Sequence, residues 1–173
     1  AAKASYALHD EPIARDGLLG RPGAGMAVFQ VAMSLERALV LAFRLGAMQR
    51  ALDESVRFAK QRRIGAHPIA QHQAVLHRLA GMKRRLDSSR LLVYRAAWLL
   101  DQGQRATGEA ALAKWHVADA AVASALDAIT VRGGAGYLDA AGLCTTLDDA
   151  VGGAIHSGTQ DVCATIVGRC LGA

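Results

Sequence analysis

The sequence predicts an all-α protein, an up-and-down helical bundle preceded by a short non-helical segment. Hydrophobic residues make up 52% of the 173 residues, but aromatic residues only 5%. A core built of Ala and Leu suits packed helices better than sheets. Apolar residues recur every three or four positions over long stretches. Pro68, Gly103 and the run Gly133-Gly134-Ala135-Gly136 fall at the ends of those stretches, where helices stop. The length fits about one domain of ~100–200 residues.

Residues 1–24 are the non-helical part. Ser5-Tyr6-Ala7-Leu8 reads as a short strand, and Asp10-Glu11-Pro12 and Arg15-Asp16-Gly17 as turns. One strand makes no sheet, so this segment either frays or packs on something outside the chain. A first long helix is predicted over residues 26–61, with Leu35, Leu39, Ala42, Gly46, Met48, Leu52 and Val56 on its apolar side. A second is predicted over 70–100, with Val75, Leu79, Met82, Leu86, Val93 and Leu100 as its seam and Arg84, Arg85 and Arg90 on its outer flanks. The third, over 106–131, carries Trp115, Ala118, Val122, Ala125, Leu126 and Ile129 inward. A fourth over 138–152 uses Leu143, Leu147, Ala150 and Val151. A fifth over 158–171 uses Val162, Ile166 and Val167, with Ser157 or Thr159 as its N-cap.

The formal net charge of +5 is spread along the chain. It marks either solvated helix faces or attraction to an anionic ligand such as a nucleotide or CoA. No basic run is interleaved with aromatics, so nucleic-acid binding is not expected. Cys144, Cys163 and Cys170 have neither the number nor the spacing of a disulfide framework or a zinc site; they read as small buried apolar residues in a cytoplasmic protein. No stretch approaches the ~20 apolar residues of a membrane span. The chain starts at Ala1 without a signal-peptide pattern and reads as a fragment or a processed piece.

Several residues stand out for chemistry. Glu36 lies beside Leu35, Leu39 and Val40; desolvated there, its carboxylate would serve as a proton acceptor. It reads equally as one half of an ion pair with Arg37 or Arg44. Arg62 and Arg63 close the first helix, where an arginine either clamps a phosphate or complements the helix C-terminus. Gly133-Gly134-Ala135-Gly136 either lets a ligand approach the backbone or simply stops a helix. His67, His72 and His77 recur every five residues, which scatters them round a helix, so no metal site is expected. His156 and Ser157 are adjacent, and neighbours on a helix do not face each other.

Taken together, these pieces resemble the C-terminal helical domain of the acyl-CoA dehydrogenase flavoenzymes. Arg62, Pro68, Ile69, Gln73 and Leu79-Ala80-Gly81-Met82 fit one of that family's patterns. Gly133 to Tyr137 fits its Gly-Gly-x-Gly-Tyr turn, and Gly158-Thr159 fits the Gly-Thr pair that opens the last helix. Glu36-Arg37 matches the catalytic-base placement of isovaleryl- and long-chain-type members. The run from Gly46 to Arg50 is similar to one in prolyl-carrier-protein dehydrogenases.

The resemblance implies an FAD enzyme that desaturates an acyl thioester on CoA or a carrier protein. Glu36 would take the α-proton and FAD the β-hydride. Arg37 would face the substrate. Arg62, Thr130, Gly133, Gly134 and Thr159 would contact FAD, part of it a neighbouring subunit's. Electron-transfer flavoprotein or oxygen would be the acceptor, and the bundle would form a homodimer or homotetramer. Residues 1–24 would be a remnant of the family's middle β domain and residues 25–173 the bundle domain.

The chain departs from the family pattern at several points. Ser157 stands where many members place the catalytic Glu. Thr130 stands where a Gln is usual, and Gly65 where an aromatic is. Cys144-Thr145 and Asp148-Asp149 replace two charged pairs. Two other readings therefore accompany the first: a non-catalytic subunit that completes another chain's FAD site, and a flavin monooxygenase on the same fold. The 173 residues alone are not expected to bind FAD tightly.

Overall fold

The computed structural model describes residues 4–7, 9–138 and 142–172. Among them the helices are α1 (Gly25–Leu39), α2 (Ala42–Gln61), α3 (Gln73–Asp101), α4 (Thr107–Arg132), α5 (Gly134–Tyr137), α6 (Leu143–Ile155) and α7 (Gln160–Cys170). This is the all-α bundle that the sequence predicts. Two-residue strands, β1 (Arg63–Ile64) and β2 (His67–Pro68), form a small antiparallel hairpin between α2 and α3.

Helix α4 is the centre. It packs against α1, α2, α3, α6 and α7. Ala110, Ala111, Ala113, Val117, Ala118, Ala120, Ala121, Ala125 and Ala128 are all buried. A helix apolar on most sides belongs inside a bundle, and small side chains let neighbouring axes approach closely. The narrower stripe predicted for this helix is therefore too narrow, and its Leu126 is exposed. On α3 the predicted seam holds: Leu79, Met82, Leu86 and Val93 are buried. Arg85, expected on an outer flank, instead turns toward α4. Its Nε donates to Ser124 Oγ (3.0 Å), and its guanidinium pairs with Asp127.

The single helix expected over residues 26–61 is two. Leu41 adopts φ −101°, ψ 6°, the bridge region between helix and sheet. The offset carries Leu41 into the core, where it is 2% exposed. It also changes the phase of the apolar face. Met33 and Ala38 are buried on α1, whereas Leu35 and Leu39, expected inward, are about half exposed. The stretch Gly25–Gln61 is long and apolar enough to cross a membrane by length and composition alone, contrary to the sequence expectation. α2 buries Leu45, Met48, Ala51, Leu52 and Ala59 in the bundle. α1 leaves Met26, Phe29 and Val31 uncovered within the described chain.

The ends of the helices explain the remaining differences. Ile69–Gln71 forms a 3-10 turn, so α3 begins later than predicted. His67 sits in the hairpin and His72 caps α3, so the three histidines do not share a helix. The predicted start of the fourth helix falls partly outside the described residues; α6 begins after Gly142, whose φ is +62°. On α6 and α7 the predicted inward Val151 and Val162 are exposed, and Gly153 and Cys163 take the inner positions. Of the three cysteines only Cys163 is buried; Cys144 is half-buried and Cys170 exposed. Ser5 to Ala7 form no strand, and Leu8 lies outside the described residues.

Within the glycine-rich turn, only glycine fits at position 136. A Cβ there would stand 2.6 Å from the Ile129 carbonyl oxygen and 3.1 Å from Ile129 Cα. The helix backbone cannot yield as a flexible side chain would. Gly136→Ala is expected to destabilise the bundle by about 1–3 kcal/mol, the usual cost of overpacking. That lowers the melting temperature by about 2–12 °C for a chain of this size, measurable by thermal circular dichroism.

Candidate active site

The loop between α6 and α7 folds back over α1. Ser157 has φ +58° and Gly158 φ +99°, so two successive residues leave the helical region and reverse the chain. The turn brings Ser157 Oγ onto Glu36, and its hydroxyl donates to Glu36 Oε1. It also places His156 Nδ1 3.1 Å from Ser157 Oγ. The sequence reading set this pair aside on the assumption that both residues lay on a helix. They lie in a loop, and they touch. Thr159 then caps α7, its Oγ1 accepting from Val162 N at 3.4 Å. Ser157, the other candidate cap, is engaged elsewhere.

Glu36 is exposed, not desolvated as the sequence suggested, because Leu35 and Leu39 beside it also face outward; among the described residues it pairs with neither Arg37 nor Arg44. Arg44 lies over the Phe43 ring at 4.8 Å and donates to the Asp149 carbonyl. Arg37 packs beneath the loop, its Nε 3.6 Å from where a Cβ would stand on Gly158. That Nε is buried and has no hydrogen-bond partner among the described residues.

The sequence reading missed Lys114. It is 1% exposed, the largest fully buried side chain in the bundle. Its Nζ donates to Gly158 O at 2.5 Å and to Ala154 O at 3.3 Å. Burial pushes the Lys114 ammonium below the usual lysine range, and the nearby Arg37 adds to that; Cys163 and Asp119 pull the other way. The same burial pushes the Cys163 thiol up. A signal for Lys114 was present in the sequence. It lies four residues after Ala110 and three before Val117, in phase with the buried face of α4.

The other predicted residues gather at the far end of α2. Arg62 caps α2 with extended backbone (φ −70°, ψ 129°). It is exposed, and its guanidinium takes part in no ion pair among the described residues. The end of α4 lies alongside, with Arg132 Nη2 3.3 Å from Glu54 Oε2 and its guanidinium 5.8 Å from the Phe58 ring. Gly133 (φ +58°) and Gly134 follow, with open space where a Cβ would stand on either. The exposed Arg62 guanidinium fits a diphosphate, and the bare backbone at Gly133 and Gly134 gives a ligand room to approach. Thr130 Oγ1 donates to Leu126 O at 2.8 Å, which leaves only its lone pairs for a ligand. α2 alone spans roughly 30 Å at ~1.5 Å per residue. The structure thus brings the loop before Thr159 onto Glu36 and Arg37, while Arg62 ends α2 and Thr130, Gly133 and Gly134 lie at the end of α4, which meets α2 at Glu54 and Phe58.

The bundle, with Glu36 on its first helix and Arg62 at the end of the second, agrees with the class that the resemblance implies, the C-terminal helical domain of the acyl-CoA dehydrogenase flavoenzymes. The chain belongs to the acyl-CoA dehydrogenase family: the model for "Acyl-CoA dehydrogenase, C-terminal domain" matches residues 23–172. An L-prolyl-[peptidyl-carrier protein] dehydrogenase of Pseudomonas fluorescens is 43% identical over 151 residues, which cover 87% of this chain and 40% of that protein. A crystal structure of the prolyl acyl carrier protein oxidase AnaB superposes with a TM-score of 0.91 at 33% identity, covering 93% of this chain and 43% of that one. An FAD complex of PigA superposes at 0.87 with 38% identity, over 89% of this chain and 40% of that one. The chain thus spans about 40% of the length of the curated relatives it matches.

Proposed function

We propose that the chain is the C-terminal domain of an FAD-dependent dehydrogenase acting on an acyl or aminoacyl thioester, with Glu36 as the base. The observation that carries this is the contact between Ser157 and Glu36. The loop that opens the last helix reaches the only carboxylate matched to a family base position, and Ser157, which has no basic group of its own, hydrogen-bonds to it. Glu36 takes the α-proton from the thioester, and Arg37, the next residue on α1, lies on the substrate side. FAD, when bound, would supply the acceptor for the β-hydride that leaves as the α-proton goes to Glu36. Arg62 would hold the FAD diphosphate, Gly133 and Gly134 would give backbone room near the adenine end with Thr130 beside them, and Thr159 would lie near the flavin. The similarity to prolyl-carrier-protein enzymes favours a carrier protein over CoA as the thioester carrier. The acceptor is an electron-transfer flavoprotein or oxygen.

The roughly 30 Å length of α2 supports a shared site. Glu36 and Arg62 then serve two different flavins in a homodimer or homotetramer. The uncovered apolar face of α1 is where the remainder of a longer chain would pack, and residues 1–24 are the end of that remainder. The test uses the full-length protein. It purifies with flavin absorbance, and anaerobic addition of an L-prolyl carrier protein or of butyryl-CoA bleaches it. A protein without flavin would instead be the non-catalytic subunit, and a flavin that no thioester bleaches would favour the monooxygenase.

A further inference from the structure

We propose that Lys114 is a positioning residue for the base: it holds the loop between α6 and α7 at the height that keeps the Ser157 hydroxyl on the Glu36 carboxylate. This rests on the reading of Glu36 as the base, and it adds a residue from another helix to that site.

The geometry forms one chain of contacts. Lys114 rises from α4, the helix around which the bundle is packed, and is 1% exposed. It donates to Ala154 O, in the last turn of α6, and to Gly158 O, the residue next to Ser157. One ammonium thus ties the end of α6 to the far side of the loop across three intervening residues. From Gly158 the backbone reverses at φ +99° and packs on Arg37. From Ser157 the hydroxyl reaches Glu36. Glu36 and Arg37 are consecutive on α1, so the loop rests on both.

Why a lysine stands there also follows. The last carbonyls of a helix and the carbonyls of a reversed loop have no partners within their own segment. Buried, each would cost free energy if left unpaired. An ammonium offers three donors on a long flexible stem and satisfies two carbonyls from below. Leu or Met would fill the same volume for packing alone and would spare the desolvation of a charge. The donor does both: it pairs these carbonyls and fixes the place of the loop. Small displacements of a catalytic group are costly: about 1 Å of misplacement costs roughly 10²-fold in rate.

The test is a double-mutant cycle in the full-length flavin-loaded protein, using Lys114→Met and Ser157→Ala. The readouts are kcat, KM and loss of α-deuterium to solvent from the thioester that the wild type turns over, L-[2-²H]prolyl carrier protein or [2,2-²H₂]butyryl-CoA. Lys114→Met is expected to lower kcat and α-deuterium loss together by roughly 10- to 100-fold, with KM changed less than about twofold. The double variant is expected to be no slower than the slower single variant, because Lys114 acts through Ser157. Lys114→Gln keeps an N–H donor and is expected to recover part of kcat. Gly158→Ala, strained at φ +99°, reaches the same loop without touching the α4 core and is expected to lower kcat likewise. If Lys114→Met lowers only the melting temperature, or if the two losses multiply, the proposal is overturned. If Glu36→Gln retains full kcat, the underlying reading falls and this proposal with it. If Glu36→Gln is inactive while Lys114→Met and Gly158→Ala both match the wild type, the positioning role alone falls.

Discussion

Glu36→Gln in the full-length protein is expected to lower kcat by roughly 10²–10⁴-fold, the contribution of a positioned general base. The amide keeps the shape of the side chain and can still accept a hydrogen bond from Ser157, so the loop stays in place. What it loses is proton affinity. FAD content and substrate affinity are expected to stay near wild-type values, because Glu36 lies on α1 while Arg62 follows α2 and Gly133 and Gly134 follow α4. The measurement is anaerobic bleaching of the flavin by the thioester, together with loss of α-deuterium to solvent. A variant that binds flavin and bleaches at the wild-type rate would rule out Glu36 as the base. Ser157 does not replace it, since a neutral hydroxyl is far too weak a base to take the α-proton.

Arg62→Met is expected to loosen FAD with the protein otherwise intact. Arg62 is exposed at the C-cap of α2, and its backbone N–H and C=O, not its side chain, make the contacts to Phe58 O and Ile69 N (both 2.8 Å). The hairpin and the start of α3 therefore survive the change. Hydrogen bonds to a charged group contribute about 1.5–3 kcal/mol, so losing the diphosphate clamp weakens FAD by about 10- to 150-fold in Kd. Flavin retained through desalting measures the effect. The kcat of the fraction still carrying flavin is expected to remain near wild type. A variant that holds FAD as tightly as the wild type would remove Arg62 from the cofactor site.

The fold was legible because its cause is local. The 3.6-residue spacing on α3, the Ala content of α4 and the stops at Pro68 and Gly103 are all properties of neighbouring residues. The break at Val40–Leu41 was not, since neither Gly nor Pro marks it and Leu41 is drawn inward by core packing. The candidate site divided in the same way. Glu36 and Arg62 lie in recognisable sequence patterns. The Ser157–Glu36 contact joins residues 121 apart in sequence, and only a left-handed serine in the loop makes it possible. Lys114 escaped notice because a lysine in a sequence reads as solvated, while its burial follows from the helices that close around α4.

The length of α2 carries a genetic consequence. If each flavin takes its base from one subunit and its clamp from the other, two defective alleles can complement. A hybrid dimer of a Glu36→Gln subunit and an Arg62→Met subunit contains one site that is wholly intact and one that carries both lesions. Neither homodimer has an intact site. Co-expression of the two alleles would then restore a share of the activity that each alone abolishes or weakens, and the pair would behave as one functional gene.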